Sequence, residues 1–323
     1  MKTFDASGKR RKVVVVGAGN VGSAFCFALA QSGLAEEIVL LDANADLAKG
    51  QALDLAHGQP YFPAVAIRDG SPADYADASV IVITAGAAQK PGETRLQLLQ
   101  KNAAIVSSII GEIVAAHACG VVLVASNPVD VLTYVALKRS GWERGRVIGS
   151  GTVLDSARFR YLLGRHCGVD VHNVHAYILG EHGDSEFAAW SMTHVAGMSM
   201  EDYCPVCRAC ADWMAERHAI VQAVRNSAYH IIEYKGTTCF GVGMALVRIV
   251  GAVLRGENSV LTVSTLLDGE FGLRDVCLSV PSIVCHRGVD RVVESRLSDP
   301  EREQLAASAD VLKSALSQVG GAS

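Results

Sequence analysis

From Lys12 onward the chain alternates short apolar runs with helix-period segments. "KVVVV" is a β-branched run; "GAGNVG" punctuates it; "SAFCFALAQSG" has a helical pattern; "EIVLLDAN" is a second apolar run. Strands that are apolar at successive rather than alternate positions are buried on both faces, so a parallel sheet covered by helices is predicted. The alternation continues through "VAIRD", "SVIVITAG", a long helix from Thr94 to about His117, "VVLVAS" and "RVIGSG". The fold class expected is therefore α/β: a doubly wound parallel Rossmann sheet over residues 1–150, then a second, α+β substrate domain over residues 151–323 that ends in the helical pattern after Asp299. No solenoid-period repeat or low-complexity segment interrupts it.

Composition narrows the function classes. Half the residues are hydrophobic and 19 % are charged, which suits a folded globule and argues against disorder. Acidic and basic residues nearly balance, for a net charge of -4 with no long single-sign run, so no nucleic-acid partner is expected. No apolar run long enough to cross a bilayer and no signal-peptide pattern are read, so no membrane partner and a cytoplasmic location are expected. Cys26, Cys119, Cys167, Cys239, Cys277 and Cys285 sit in apolar patterns, where reduced cysteine behaves as a small hydrophobe. In "YCPVCRAC", Cys204, Cys207 and Cys210 have a ligand-like spacing, but apart from His218 no further ligand follows nearby. A variable loop leading into the next helix is expected there, with no metal; a metal or a redox-sensitive thiol pair is the alternative.

"GAGNVG" sets Gly17, Gly19 and Gly22 at the spacing for a tight turn, a close approach of backbone to a pyrophosphate, and helix packing, with Val21 inside the turn. Alone the motif is weak. Here it follows a strand and opens a helix, and Asp42 ends the next strand about twenty residues beyond the last glycine. A carboxylate there accepts ribose hydroxyls and repels a 2′-phosphate, so NAD is expected over NADP. Polar residues also gather after later strands: "AGAAQKPGETRLQLLQKN" with Gly86, then Arg95 near a helix start; "ASNPVD" with Asn127; and "GTVLDSARFRY", where Asp155 and Arg158 share a helix face. "ILGEHGDSE" sets His182 where a strand ends.

Together "GAGNVG", "QKPGETRLQLLQKN", "SNPVDVLTYV", "GSGTVLDSARFRYLL" and "GEHGDSE" resemble the bacterial L-lactate dehydrogenases of the lactate and malate dehydrogenase family, from about Lys12 to the "TVSTLLDGEFG" and "VPSIV" strands. The resemblance implies a reversible NADH-dependent reduction of pyruvate to L-lactate. It makes His182 the proton donor and acceptor, Asp155 its orienting carboxylate, Arg158 the clamp on the substrate carboxylate, and Arg95 the cation on a closing loop. Asn127 would contact cofactor and substrate, Gly86 the cofactor, and Thr238 the substrate pocket. Gln89 matches the position that is glutamine for lactate and arginine for malate. Arg160 and His175 match the residues that bind fructose 1,6-bisphosphate between subunits, with Arg160 turned away from Arg158 and free for an outside anion. A homotetramer is implied as well.

The residue types suit that chemistry. Imidazole exchanges protons near neutrality, and a guanidinium grips a carboxylate through paired hydrogen bonds. A neutral Gln89 accepts a methyl group but leaves the second carboxylate of oxaloacetate without a cation, with Lys90 as the residue that could supply one. Singly, each has an ordinary reading: an Asp155–Arg158 surface pair worth under about 1 kcal/mol, a solvated Arg95, a loop histidine. The rival functions are a malate or broader L-2-hydroxy acid dehydrogenase and, from another class, a non-catalytic NAD-binding structural or sensor protein.

Overall fold

The structure is a computed structural model and describes residues 10–88, 92–207 and 212–320. The first half runs β1 (Lys12–Val16), α1 (Asn20–Ser32), β2 (Glu37–Leu41), α2 (Ala45–His57), β3 (Ala66–Asp69), β4 (Val80–Ile83), α3 (Arg95–Ala115), β5 (Val121–Val124), α4 (Val129–Ser140) and β6 (Val147–Gly149). After it come α5 (Val153–Cys167), β7 (Val174–His175), β8 (Ile178–Leu179), β9 (Phe187–Ala188), β10 (His194–Val195), β11 (Met198–Ser199), α6 (Met200–Cys207), α7 (Trp213–Lys235) and α8 (Phe240–Arg255). β12 (Ser259–Leu261), β13 (Ser264–Asp268), β14 (Arg274–Ser279), β15 (Ser282–Cys285), β16 (Gly288–Val292) and α9 (Asp299–Gly320) complete the chain.

The main sheet has the order β3-β2-β1-β4-β5-β6, all parallel, the doubly wound α/β arrangement. Successive strand residues face opposite layers. Val13 and Val15 pack with Phe25, Leu29, Leu246 and Val250, whereas Val14 and Val16 pack with Val106, Ile110, Ile113 and Leu132. Each such burial contributes about 1.5–3 kcal/mol, and it explains the unbroken valine run.

The remaining strands are antiparallel, and two of them do not stay in the second half. β13 pairs with β6 at Ser264 and Gly149, β14 pairs with β13, and the main sheet ends there. The sequence patterns predict the strands but not their partner.

Two expectations are corrected. α3 does meet the length and apolar composition of a membrane-crossing helix. It is that apolar because it covers the sheet with Ala103, Val106, Ile110 and Ile113 and also packs against α4 and α9. Cys119, read as part of an apolar pattern, is exposed. Cys204 is buried in α6, and Cys210 lies outside the described residues.

Candidate active site

The parallel strands direct their carboxyl ends to one edge of the sheet, where chain order reverses between β1 and β4. Such a reversal leaves a crevice for a ligand. Gly17 lies in it with φ +109°, and a Cβ there would come 2.6 Å from the Ala85 amide nitrogen. Gly22 opens α1 so close that a Cβ would lie 1.9 Å from the Gly17 carbonyl oxygen. A Cβ on Gly19, by contrast, would meet nothing within 4 Å, so the turn presents bare backbone to open space at a helix N-terminus, as a phosphate group requires. Val21 follows in the first turn of α1.

Asp42 stands just beyond β2. Its Oδ2 accepts from the Ala18 amide at 2.7 Å and its Oδ1 from the Asn44 amide at 2.8 Å, which ties the glycine turn to the second strand. Gly17, Leu41, Asp42, Ala43, Ile109 and Glu112 are among the walls of a cavity of about 450 Å³. One carboxylate beside bare amides and an apolar slot fits an adenosine diphosphate moiety with a free 2′-hydroxyl. Gly86 is exposed after β4, and the adjoining Ala87 amide donates to Asn102 Oδ1 at 2.8 Å. Asn102 Nδ2 donates to the Asn127 carbonyl at 3.1 Å, so buried Asn102 links the two loops that the sequence reading treated separately. The Asn127–Pro128 peptide is cis.

A second cavity of about 540 Å³ has Arg95, Asn127, Pro128, Glu181, His182 and Tyr229 in its wall, with apolar Leu99 and Val131. Arg95 stands at the helix start, as the sequence places it: it is the first residue of α3, exposed, behind a capping box in which Thr94 and Gln97 bond reciprocally. His182 lies between β8 and β9 in a loop held from three sides. Its amide donates to Asp130 Oδ2 at 2.8 Å, the Glu181 amide to Ser308 Oγ at 2.7 Å, and Gly180 exchanges backbone bonds with Ser279.

The His182 ring, 26 % exposed, has Nδ1 at 2.6 Å from Oδ2 of Asp155, whose side chain is 3 % exposed. The other oxygen, Oδ1, accepts from Arg158 at 2.8 Å. Asp155 sits in the first turn of α5, where the helix end favours a carboxylate. Burial opposes its charge, but His182 and Arg158 hold its carboxyl below the usual range. Burial likewise opposes a charged imidazole. Asp155, with Asp130 and Glu186 behind it, outweighs that and lifts His182 to about 9. Burial pushes Asp130 up to about 6.

The geometry thus brings together His182, Asp155 and Arg158, and sets Arg95 and Asn127 in the wall that His182 shares. It does not bring Thr238 into that wall among the described residues: Thr238 is half-buried between α7 and α8. Gln89 lies outside the described residues. Arg160 faces away from Arg158 as expected, but it is not free. Its Nε donates to the Ala176 carbonyl at 3.0 Å, and its guanidinium lies 5.3 Å from the Tyr177 ring centroid. His175, the adjoining strand residue, is exposed. Sequence reading missed Asp130, Asn102 and Glu186. All three stand inside quoted motifs, "ASNPVD", "QKPGETRLQLLQKN" and "GEHGDSE", and for Asp130 and Glu186 the signal was a carboxylate in an otherwise apolar or turn context.

The chain matches two family models: lactate/malate dehydrogenase, NAD binding domain, over residues 11–149, and lactate/malate dehydrogenase, alpha/beta C-terminal domain, over residues 152–321. It is 58 % identical over 313 residues to an L-lactate dehydrogenase of Treponema denticola, covering 96 % of this chain and 99 % of that one. Among solved structures, a lactate dehydrogenase from a Medee basin deep-sea metagenome library aligns with TM-score 0.94 and 43 % identity, over 97 % of this chain and 99 % of that one. The ligand-bound minor L-lactate dehydrogenase of Enterococcus mundtii aligns with TM-score 0.93 and 41 % identity, over 96 % and 98 %.

Proposed function

The chain belongs to the lactate/malate dehydrogenase family, and on that footing we propose that it interconverts pyruvate and L-lactate with NAD as cofactor. The observation that carries the reading is the Arg158–Asp155–His182 chain of contacts, which opens on the cavity also lined by Asn127 and Arg95. The cofactor would be held by the turn at Gly17, Gly19, Val21 and Gly22, by Asp42 at the ribose, and by Gly86 and Asn127 nearer the reacting end. When bound, NADH supplies the hydride that reduces the carbonyl carbon. The protein does the rest. Arg158 pairs with the substrate carboxylate and orients the ketone. His182 gives its proton to the ketone oxygen and takes it back in the reverse direction. Asp155 fixes the imidazole and stabilises its charged form. Arg95, at the cavity mouth, draws electron density onto the same oxygen, with Thr238 assigned to the substrate side. The division at about residue 150 into a cofactor part and a substrate part belongs to the same reading.

Gln89 is the selector for pyruvate over oxaloacetate, because an enclosed second carboxylate needs a cation. Arg160 and His175 are the effector site: they flank Ala176 from helix and strand, and Arg160 commits only its Nε to that carbonyl, leaving donors for a bisphosphate. The assembly is read as a cytoplasmic homotetramer. NADH oxidation by purified protein with pyruvate and with oxaloacetate, each with and without fructose 1,6-bisphosphate, tests the reading. A pyruvate preference sharpened by the bisphosphate is expected. A preference for oxaloacetate overturns the substrate, and an unshifted pyruvate midpoint overturns the effector site.

A further inference from the structure

Beside the histidine stands an acid that the reaction does not use. Glu186 is 4 % exposed, and its carboxyl takes no hydrogen bond from any described donor. The cation that does touch the residue, Arg225 of α7, is spent on its main chain: Nε and an NH2 group donate to the Glu186 carbonyl oxygen at 3.1 and 2.5 Å. A carboxyl oxygen of Glu186, a ring nitrogen of His182 and an oxygen of Asp155 all lie within 4.8 Å of one another.

Two carboxylates so close in a buried site do not both ionise cheaply. Asp155 has the stronger claim to the charge, since it holds Arg158 at 2.8 Å and His182 at 2.6 Å from the start of a helix. We propose that Glu186 is a positioning residue that keeps a proton at neutral pH beside the His182–Asp155 pair, and that losing this proton limits pyruvate binding in alkali. This deepens the dehydrogenase reading and rests on it for its kinetic consequence.

The charged groups around Glu186 are Asp155 and Arg158 from α5, Arg225 from α7, Asp130 from α4 through the His182 amide, and His182 and Glu181 in its own loop. Burial first, then Asp155, pushes the Glu186 carboxyl up to about 8, against the pull of His182, Arg158 and Arg225. While it is neutral, the contacting trio of Asp155, Arg158 and protonated His182 carries one surplus positive charge, the match for one substrate carboxylate. Ionised Glu186 cancels that charge.

The pyruvate KM of the holoenzyme, followed from pH 6 to 10 in wild type and in Glu186→Gln, reads the proton count. Above pH 9 the wild-type KM is expected to steepen toward a limit of about a hundredfold per pH unit, one proton each from His182 and Glu186, against a limit of about tenfold in the variant. A purely structural role would lower kcat at every pH and leave the two slopes equal; equal slopes overturn the proposal. Infrared spectroscopy gives a readout independent of turnover. A protonated-carboxyl band at pH 7 that fades above pH 8 is expected in wild type and missing from the variant. Its absence from wild type overturns the proposal even where the variant does not fold. If neither protein reduces pyruvate, the function reading fails while the band still decides the proton.

Discussion

Nδ1 of His182 lies 2.6 Å from Oδ2 of Asp155, and that short contact organises the site. It leaves the other ring nitrogen out of that contact, in a residue that lines the cavity, and raises the proton affinity of the ring. Asp155→Asn keeps the shape and removes the charge. Pyruvate reduction is expected to fall by on the order of a thousandfold in kcat/KM, as when an orienting carboxylate is lost beside a catalytic histidine. A loss under tenfold in steady-state assays would remove Asp155 from its assigned role.

The two directions should respond oppositely to pH. In the proposed reaction pyruvate reduction uses protonated His182 and lactate oxidation the neutral ring, and the ring holds its proton up to about 9. At saturating pyruvate the reduction rate is therefore expected to hold through neutrality and fall as pH rises through about 9, while the oxidation rate rises over the same interval. Rate profiles taken in both directions on one preparation check the sign.

Asp42 joins the glycine turn to β2 through the Ala18 and Asn44 amides. Asp42→Ser removes an acceptor and a charge. The KM for NADH is expected to rise at least about tenfold, the cost of one charge-assisted bond, and discrimination against NADPH to weaken. An unchanged ratio of NADH to NADPH efficiency would mean that the ribose sits elsewhere.

Gln89→Arg supplies the cation that oxaloacetate lacks. Its turnover is expected to rise and that of pyruvate to fall, a combined swing on the order of a thousandfold. Parallel assays on the two keto acids measure it, and a variant still favouring pyruvate as strongly as wild type would dismiss Gln89 as selector.

Much of this is legible in the sequence. The valine run of β1 predicts two-sided burial because neighbouring residues must enter different layers, and Val13 and Val14 do so. Asp155 and Arg158 are three apart on a helix, so their contact is local and readable. The His182–Asp155 contact spans 27 residues and is read only through resemblance. Arg160 looked free because spacing gives the direction a side chain leaves a helix but not what it meets, here the Ala176 carbonyl and the Tyr177 ring. Asp130 and Glu186 escaped for a related reason: nothing local marks a carboxylate as buried, and Asp130 owes its surroundings to Ser264 and His182 from the other half of the chain, Glu186 to Asp155 and Arg158 of α5 and Arg225 of α7.

The pairing of Ser264 with Gly149 makes β13 the neighbour of β6. Residues 264–279 therefore cap what would otherwise be a raw edge of the first sheet, and unpaired edges invite association with other chains. A fragment ending near residue 150 would carry every cofactor contact assigned here and still lack its last two strands. The two halves are covalently sequential yet share one hydrogen-bonded sheet, so they should melt in a single calorimetric transition, and any attempt to graft the cofactor half onto another partner must bring a replacement strand with it.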